Sequence, residues 1–289
     1  MNTQSALQAA TFSSAMAQDL VSFEACLSAA SLSGQGHLIR IEAVQALHHR
    51  VAANELLSER YRWRGYGAVS LPVATAAHCL PLTASRDGKV IGTLTVNFDS
   101  ERGLNCDDTF PDEVMALRTR GDRLCEFTKL AVDSGAASAQ VLAALFHVAF
   151  LAARNMQQVD TLLLEVNPRH VRYYQRMLGA RSLAAERLNR RVSAPAVLLA
   201  IATADVRRWI DGNAAMPMAS DEAANDAAAE AEAVAVGAAR AQAVRTLYGL
   251  AFNRTEEAAI LGRLARQWPP SEHFVFRLPA AGQGGSLPS

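Results

Sequence analysis

The stretch 123–179 constrains the fold more than any other, because it reads in turn as strand, helix, strand and helix. Residues 123–133 alternate in polarity as a half-buried strand does, and residues 161–166 form an apolar run typical of an inner strand. Between them Ser138 can cap a helix that runs to about Asn155 and is apolar around most of its circumference. The pattern predicts a βαβ unit, in which a right-handed crossover joins two parallel strands.

Two features of this unit bear on function. Glu126 lies in the middle of the first strand between apolar neighbours, where an unpaired carboxylate is costly. Tyr173 and Tyr174 lie on the helix that follows the second strand. The residues alone leave two interpretations open: these are groups of a functional site, or they are a solvated edge carboxylate and two core tyrosines.

A β-hairpin is predicted upstream, because Asp87-Gly88 separates two alternating runs at 78–84 and 90–98. Gly92, inside the second run, indicates a bulge or a close approach of another backbone. The other predicted elements are a short helix over 17–27, a short strand at 39–41, a helix from Glu42 to Leu57, a helix over 111–120 and an inner strand over 195–202.

Composition excludes several classes of protein. A formal net charge of zero and a pI near 7.1 argue against a nucleic-acid binder, whose footprint would be basic. The four cysteines lie far apart without Cys/His spacing, which argues against a zinc site and a disulfide framework. We find neither a signal-peptide pattern nor an apolar run approaching the ~20 residues of a membrane span. We therefore expect a soluble cytoplasmic protein.

Residues 125–133 resemble the strand E-x-[ST]-[RK]-[FL]-A-V of acyl-homoserine lactone (autoinducer) synthases. Further segments resemble N-acyl amino acid synthases of the FeeM type and the closing segment of GNAT acyltransferases. They are Gly103-Leu104, Phe110–Glu113, Leu117-Arg118, Gly121, Asn167–His170, Tyr173-Tyr174 and Leu178-Gly179. The similarity covers residues 39–203, with a weaker echo over 246–258. It implies an α/β fold of the GNAT-like acyl-CoA N-acyltransferase type, with a mixed central sheet flanked by helices.

This resemblance divides the chain into five parts. Residues 1–30 are expected to be a mobile leader or a short helix, and residues 31–210 the acyltransferase domain. Residues 211–219, rich in Met, Pro and Ala, are an expected linker. Residues 220–268 are an expected helical extension, and residues 269–289 a disordered tail.

The resemblance also implies roles for particular residues. Acyl transfer from a thioester to an amine needs a base for the amine, a donor for the oxyanion and an acid for the thiolate. Glu126 is then the candidate base, and Tyr173 or Tyr174 the candidate acid or pocket wall. The expected acyl-donor (pantetheine) site is Phe127, Thr128, Lys129, Leu130, Ala131, Val132 and Ser138. The expected acceptor pocket or carrier-protein mouth is Arg50, Arg62, Trp63, Arg64, Arg118 and Asn167.

The arginine-rich stretch around residues 59–67 also has a simpler interpretation. It can be a solvated basic turn, with Trp63 packed on the core. Both interpretations stay open at the level of sequence.

The loop 133–138 bears on the acyl donor. Acetyl-CoA enzymes of this fold cradle the pyrophosphate with a glycine-rich loop at a helix N-terminus. Here Asp133 comes first and the loop holds one glycine. This favours a carrier-protein-borne phosphopantetheine over CoA.

The leading hypothesis is a long-chain N-acyltransferase that makes an N-acyl amino acid from an acyl-carrier-protein thioester. No permanently bound cofactor or metal is expected, and acyl-phosphopantetheine or acyl-CoA is the co-substrate. Three alternatives stay open: an acyl-homoserine lactone synthase, an acetyl-CoA-dependent acetyltransferase, and a non-catalytic module that senses an acyl or amino-acid ligand. The sequence predicts neither the acceptor amino acid, nor the acyl chain length, nor the oligomeric state.

Overall fold

The computed structural model describes residues 23–26, 38–44, 47–63, 65–67, 69–71, 78–133, 138–211, 252 and 254–267. The strands in this part of the chain are β1 (Phe23–Cys26), β2 (Leu38–Ala43), β3 (Cys79–Arg86), β4 (Lys89–Phe98), β5 (Leu124–Val132), β6 (Thr161–Val166), β7 (Arg181–Ser182), β8 (Arg187–Asn189) and β9 (Ala194–Ala202). The helices are α1 (Leu47–Trp63), α2 (Pro111–Thr119), α3 (Ser138–Leu151), α4 (Pro168–Leu178), α5 (Thr203–Ile210) and α6 (Arg254–Gln267). A 3₁₀ turn (Asn105–Asp108) precedes α2, and a π turn (Ala152–Met156) follows α3.

These strands form one mixed sheet in the order β1-β2-β3-β4-β5-β6-β9-β7. β8 pairs with Ala194–Ala196 at the start of β9. β5 and β6 are parallel, and the other neighbouring strands are antiparallel. The predicted βαβ unit is therefore confirmed, with α3 as its crossover. Every residue of α3 from Val141 to Leu151 is buried, as expected for a helix that is apolar around its circumference.

The predicted hairpin is also confirmed. Asp87 and Gly88 both have positive φ, 52° and 77°, as a two-residue turn matched to the strand twist requires. Gly92 of β4 lies beneath α3, where a Cβ would come 2.7 Å from Val141 Cγ1. The glycine therefore allows α3 to pack directly on the sheet backbone.

Helices cover both faces of the sheet. Side chains of Cys125 and Phe127 pack with α3, α5 and α6 in the largest core cluster. Leu124 packs on the opposite face with the 3₁₀ turn and α2. α1 covers that same face farther along, where Ala131 packs against it. None of the described helices combines the length and apolarity that a bilayer crossing needs.

Two sequence predictions near the N-terminus were wrong. Phe23–Cys26 is a strand paired with β2 and not part of a helix, because four residues are too few to show a period and pairing with an edge strand decides their conformation. Glu42 belongs to β2, opposite Thr83, and does not begin α1. The predicted linker after Asp211, the predicted helix over 220–243 and the predicted tail lie outside the described residues.

α6, whose first residues fall in the weaker sequence resemblance over 246–258, packs on α3 through a buried ionic cluster. Glu257 of α6 accepts two hydrogen bonds from Arg207 Nη1, at 3.0 and 2.9 Å. Its Oε1 lies 2.8 Å from Nε2 of His147, a fully buried residue of α3. Burial alone would raise the pKa of Glu257, but the bonds to His147 and Arg207 outweigh it and that pKa is lowered. Glu257 therefore joins α6 to two elements of the main domain.

We expect Glu257→Gln to lower the free energy of unfolding by roughly 2 kcal/mol, because it weakens the charge-assisted hydrogen bonds to Arg207, which keeps Asp211 as its other partner. Urea unfolding followed by circular dichroism measures the change. Glu256→Gln is the matched control, since this neighbour is exposed and its replacement should cost under about 1 kcal/mol. Equal effects of the two substitutions would show that the cluster does not hold α6.

Candidate active site

A cavity of about 260 Å³ opens where β5 and β6 separate. Their parallel pairing joins Leu124–Glu126 to Thr161–Leu163 and stops there, although β5 continues to Val132. The cause is a β-bulge in β5 opposite β4. Lys129 has a φ of +52°, and its carbonyl accepts a hydrogen bond from Thr93 Oγ1 at 2.8 Å. A bulge bends its strand, so β5 turns away from β6 and leaves a gap between them.

Seven of the predicted site residues line this cavity. They are Glu126, Phe127, Thr128, Lys129, Leu130, Asn167 and Tyr174. The structure therefore brings together the candidate base, the first part of the predicted donor strand and one of the two tyrosines.

Glu126 is the most unusual of these groups, since it is only 1 % exposed. Its Oε2 accepts a hydrogen bond from the backbone N–H of Asn105 at 2.9 Å. Burial raises the pKa of Glu126 to about 7, against the effect of that hydrogen bond; the nearby charge of Glu165 raises it further and Arg191 lowers it. The carboxyl can therefore change between its neutral and charged forms near neutral pH.

A second carboxylate, Glu165 of β6, lies in the cavity wall. Its Oε1 accepts a hydrogen bond from Asn189 Nδ2 at 2.7 Å, and its Oε2 accepts one from Arg191 Nη2 at 3.0 Å. Arg191 Nε also lies 3.5 Å from Asp108. Sequence reasoning missed this cluster, although Glu165 lies within the apolar strand β6 just as Glu126 lies within β5.

The two tyrosines have different positions. Tyr174 is partly buried and lines the cavity, while Tyr173 is 42 % exposed and does not line it. Their rings meet edge to face with centroids 5.5 Å apart. Asn167 caps α4 by accepting a hydrogen bond from the Arg169 N–H at 3.3 Å. Tyr61, Tyr66 and His170, which carried no predicted role, also line the cavity.

None of the other predicted site residues whose side chains the structure describes lines the cavity. Ala131 packs under α1, and Val132 ends β5. Ser138 is the first residue of α3. Arg50, Arg62 and Trp63 lie on α1, and Arg64 lies outside the described residues. Trp63 is 83 % exposed, so the alternative interpretation that packs it on the core is wrong.

Arg118 is not at a solvent-exposed mouth, because it is 8 % exposed and bonded to two carboxylates. Its guanidinium donates to Asp99 at 2.7 and 2.7 Å and to Asp107 at 2.6 and 2.7 Å. Burial would lower the pKa of Arg118, but these bonds raise it, so the group stays charged. Asp107 also accepts the Leu104 N–H at 2.6 Å. Arg118 therefore fixes the loop that presents the Asn105 N–H to Glu126.

Asp133, the acidic residue of the predicted donor loop, has partners of its own. It is ion-paired with Arg60, and its Oδ2 lies 3.4 Å from Lys89 Nζ. These cations offset the negative charge with which Asp133 would otherwise repel a pyrophosphate. The remaining loop residues, 134–137, lie outside the described part of the chain.

The raised pKa of Glu126 predicts a pH-dependent effect on stability. Between about pH 4.5 and 7 the unfolded chain releases a proton that the folded chain retains, so stability falls as pH rises through this window. Glu126→Gln removes that dependence. Relative to the wild type, the variant should gain roughly 3 kcal/mol of unfolding free energy between pH 4.5 and pH 8.

Urea unfolding at the two pH values measures this gain. Glu101→Gln, which replaces an exposed carboxylate, is the control and should show no comparable change. If the unfolding free energy changes by the same amount in Glu126→Gln and in the wild type between the two pH values, the raised pKa of Glu126 is contradicted.

Three solved structures of acyl-transferring enzymes are similar to this chain. The structure of FeeM, an N-acyl amino acid synthase from uncultured soil microbes, superposes with a TM-score of 0.53 at 24% identity, over 58% of this chain and 92% of that one. An acyl-CoA N-acyltransferase from Pseudomonas aeruginosa matches with a TM-score of 0.40 at 17% identity, over 58% and 100% of the two chains. The AHL synthase LasI matches with a TM-score of 0.41 at 17% identity, over 59% and 91%. No curated protein matched the chain.

The FeeM likeness confirms the predicted GNAT-like N-acyltransferase fold. The family model of the N-acyl amino acid synthase FeeM matches residues 52–202, which include the cavity-lining segments of β5, β6, α4 and β9. The chain belongs to the FeeM family of N-acyl amino acid synthases, and it is an acyltransferase.

Proposed function

We propose that the protein transfers a long-chain fatty acyl group from an acyl-carrier-protein thioester to the amino group of an amino acid. The observation that carries the proposal is Glu126, a buried carboxyl with a pKa near 7 in the cavity between β5 and β6. An amino acid is protonated at neutral pH and attacks only as the free amine. A base with this pKa at the point of attack supplies that need.

In the proposed reaction the amine nitrogen attacks the thioester carbonyl carbon, and Glu126 takes the amine proton directly or through water. The carbonyl oxygen gains negative charge in the tetrahedral intermediate. Backbone N–H groups of β5 beyond Glu126, where the pairing with β6 has stopped, are suited to bind this oxyanion. When the C–S bond breaks, the thiolate leaves and Tyr174 donates a proton to it.

The acyl donor has space along the bulged part of β5. Phe127, Leu130 and Phe146 give this part of the cavity an apolar wall, and the rings of Phe127 and Phe146 lie 5.8 Å apart. Ser138, at the start of α3, remains a proposed contact of the phosphopantetheine arm. Ala131 and Val132, the last two residues of β5, form the outer end of the proposed donor-binding strand.

The family resemblance favours a carrier protein over CoA as the donor. The proposed contact surface for that acidic partner is the end of α1, where Arg62 and Trp63 are exposed and lie next to Tyr61 of the cavity wall. Arg50 lies on the same helix. We propose that this reaction takes place in the cytoplasm, with a soluble carrier protein as partner.

The decisive experiment incubates the purified full-length protein with a palmitoyl or an acetyl thioester and a mixture of amino acids and S-adenosylmethionine. The thioester is supplied once on carrier protein and once on CoA, and products are identified by mass spectrometry. N-acyl amino acids would support the proposal, and faster turnover with carrier protein would support that donor. Products that contain a lactone, products made only from acetyl-CoA, or ligand binding without turnover would overturn it.

Glu126→Gln should lower kcat/KM in this assay by roughly 10²–10⁴-fold, because the amide cannot accept the amine proton. In the wild type kcat/KM should rise with pH through about 7, as Glu126 loses its proton. Turnover by Glu126→Gln at the wild-type rate would refute the role of Glu126 and leave the acyltransferase itself standing.

The tyrosines provide a matched pair of variants. Tyr174→Phe should lower kcat by roughly 10-fold or more, because it removes the only proton that the side chain can give to the thiolate. Tyr173→Phe should change kcat by less than about 2-fold, since Tyr173 does not line the cavity. If Tyr173→Phe lowers kcat more than Tyr174→Phe does, Tyr173 and not Tyr174 is the proton donor to the thiolate.

A further inference from the structure

The cavity contains a basic side chain that the proposed reaction does not use. The chain has two lysines, Lys89 and Lys129, among its 28 basic residues. Lys89 is exposed and lies near Asp133. Lys129 lies on the bulge of β5 and lines the cavity.

The ammonium of Lys129 is partly buried, and no hydrogen bond or ion pair joins it to any other side chain that the structure describes. Burial lowers the pKa of Lys129, while the charge of Glu126 acts in the opposite direction and Arg191 adds to the lowering. A partly buried cation without a partner is costly, and an anionic ligand would offset that cost.

The other carboxyl and guanidinium groups that line the cavity belong to Glu126, Glu165 and Arg191. Arg191 donates to Glu165 and lies near Asp108, so its guanidinium is committed. Glu126 and Glu165 contribute negative charge, and Lys129 and Arg191 contribute positive charge. Such an arrangement is complementary to a zwitterion, whose ammonium would lie by the carboxylates and whose anionic group would reach Lys129.

We propose that Lys129 binds the α-carboxylate of the acceptor while Glu126 faces its amino group. This rests on the proposed function and narrows the acceptor to free α-amino acids. In an α-amino acid only one carbon separates the amine from the carboxyl carbon, so the carboxylate anchor must lie close to the base. Lys129 is three residues from Glu126 across the bulge, and the charge of Glu126 acts on it. The phosphodiester of a pantetheine arm lies the length of that arm from the thioester and does not meet this condition.

The test compares each amino acid with its carboxamide, which keeps the amine and removes the negative charge. With acyl carrier protein as donor, the wild type should use the amino acid roughly 10- to 100-fold more efficiently, the value of one charge-assisted hydrogen bond. Lys129→Met should lose this preference mainly through a higher KM for the amino acid, and Lys129→Arg should restore part of it. Lys89→Met is the matched control and should keep the wild-type preference for the amino acid over its carboxamide.

Two results would overturn the assignment while leaving the proposed function intact. One is equal use of amino acid and carboxamide by the wild type. The other is an equal loss of activity with both acceptors in Lys129→Met, which would indicate a structural role for the side chain.

A second readout needs no acyl donor. Acetic anhydride labels lysines, and mass spectrometry of the peptides gives the ratio of labelling at Lys129 to that at Lys89. Free amino acids should lower this ratio and carboxamides should not, and Lys89 corrects for reagent consumed by the added amine. If no amine is acylated in the turnover assay, the proposed function fails, and this ratio still decides whether Lys129 binds a carboxylate. An unchanged ratio overturns the assignment.

Discussion

The bulge at Lys129 is the feature on which the rest of the site depends. A non-glycine residue at a φ of +52° is strained, and it persists because β4 pairs on both sides of it and Thr93 bonds its carbonyl. By bending β5 it ends the parallel ladder at Glu126 and opens the cavity beside a fully formed core. The same distortion thus creates the cavity and ends the pairing of β5 with β6 beside it.

The electrostatics of the site follow from burial more than from any single pair. Burial disfavours the charged form of Glu126 and raises its pKa, and this effect outweighs hydrogen bonding from Asn105. Glu165 by contrast accepts hydrogen bonds from Asn189 and from the guanidinium of Arg191. The two neighbouring carboxyl groups therefore differ in their partners: a neutral backbone N–H bonds Glu126, and an amide and a guanidinium bond Glu165.

Parts distant from the cavity support it mechanically. Arg118 joins Asp99 to Asp107 and so fixes the 3₁₀ turn that carries the Asn105 N–H. On the other face α3 carries Phe146 into the cavity wall, and Glu257 of α6 bonds to His147, one residue farther along α3. α6 is therefore part of the framework that holds the Phe146 wall of the cavity.

The sequence by itself determined the βαβ unit, the β3–β4 hairpin and the burial of α3, because these follow from local period, turn residues and apolar content. It also singled out Glu126, since a carboxylate inside an apolar strand needs an explanation. Tertiary structure alone decided that Tyr174 and not Tyr173 lines the cavity, that Arg118 is buried, and that Glu165 meets Arg191. Those outcomes depend on strand register and on contacts between distant residues, such as His147 with Glu257 across 110 positions, and local patterns contain no information about them.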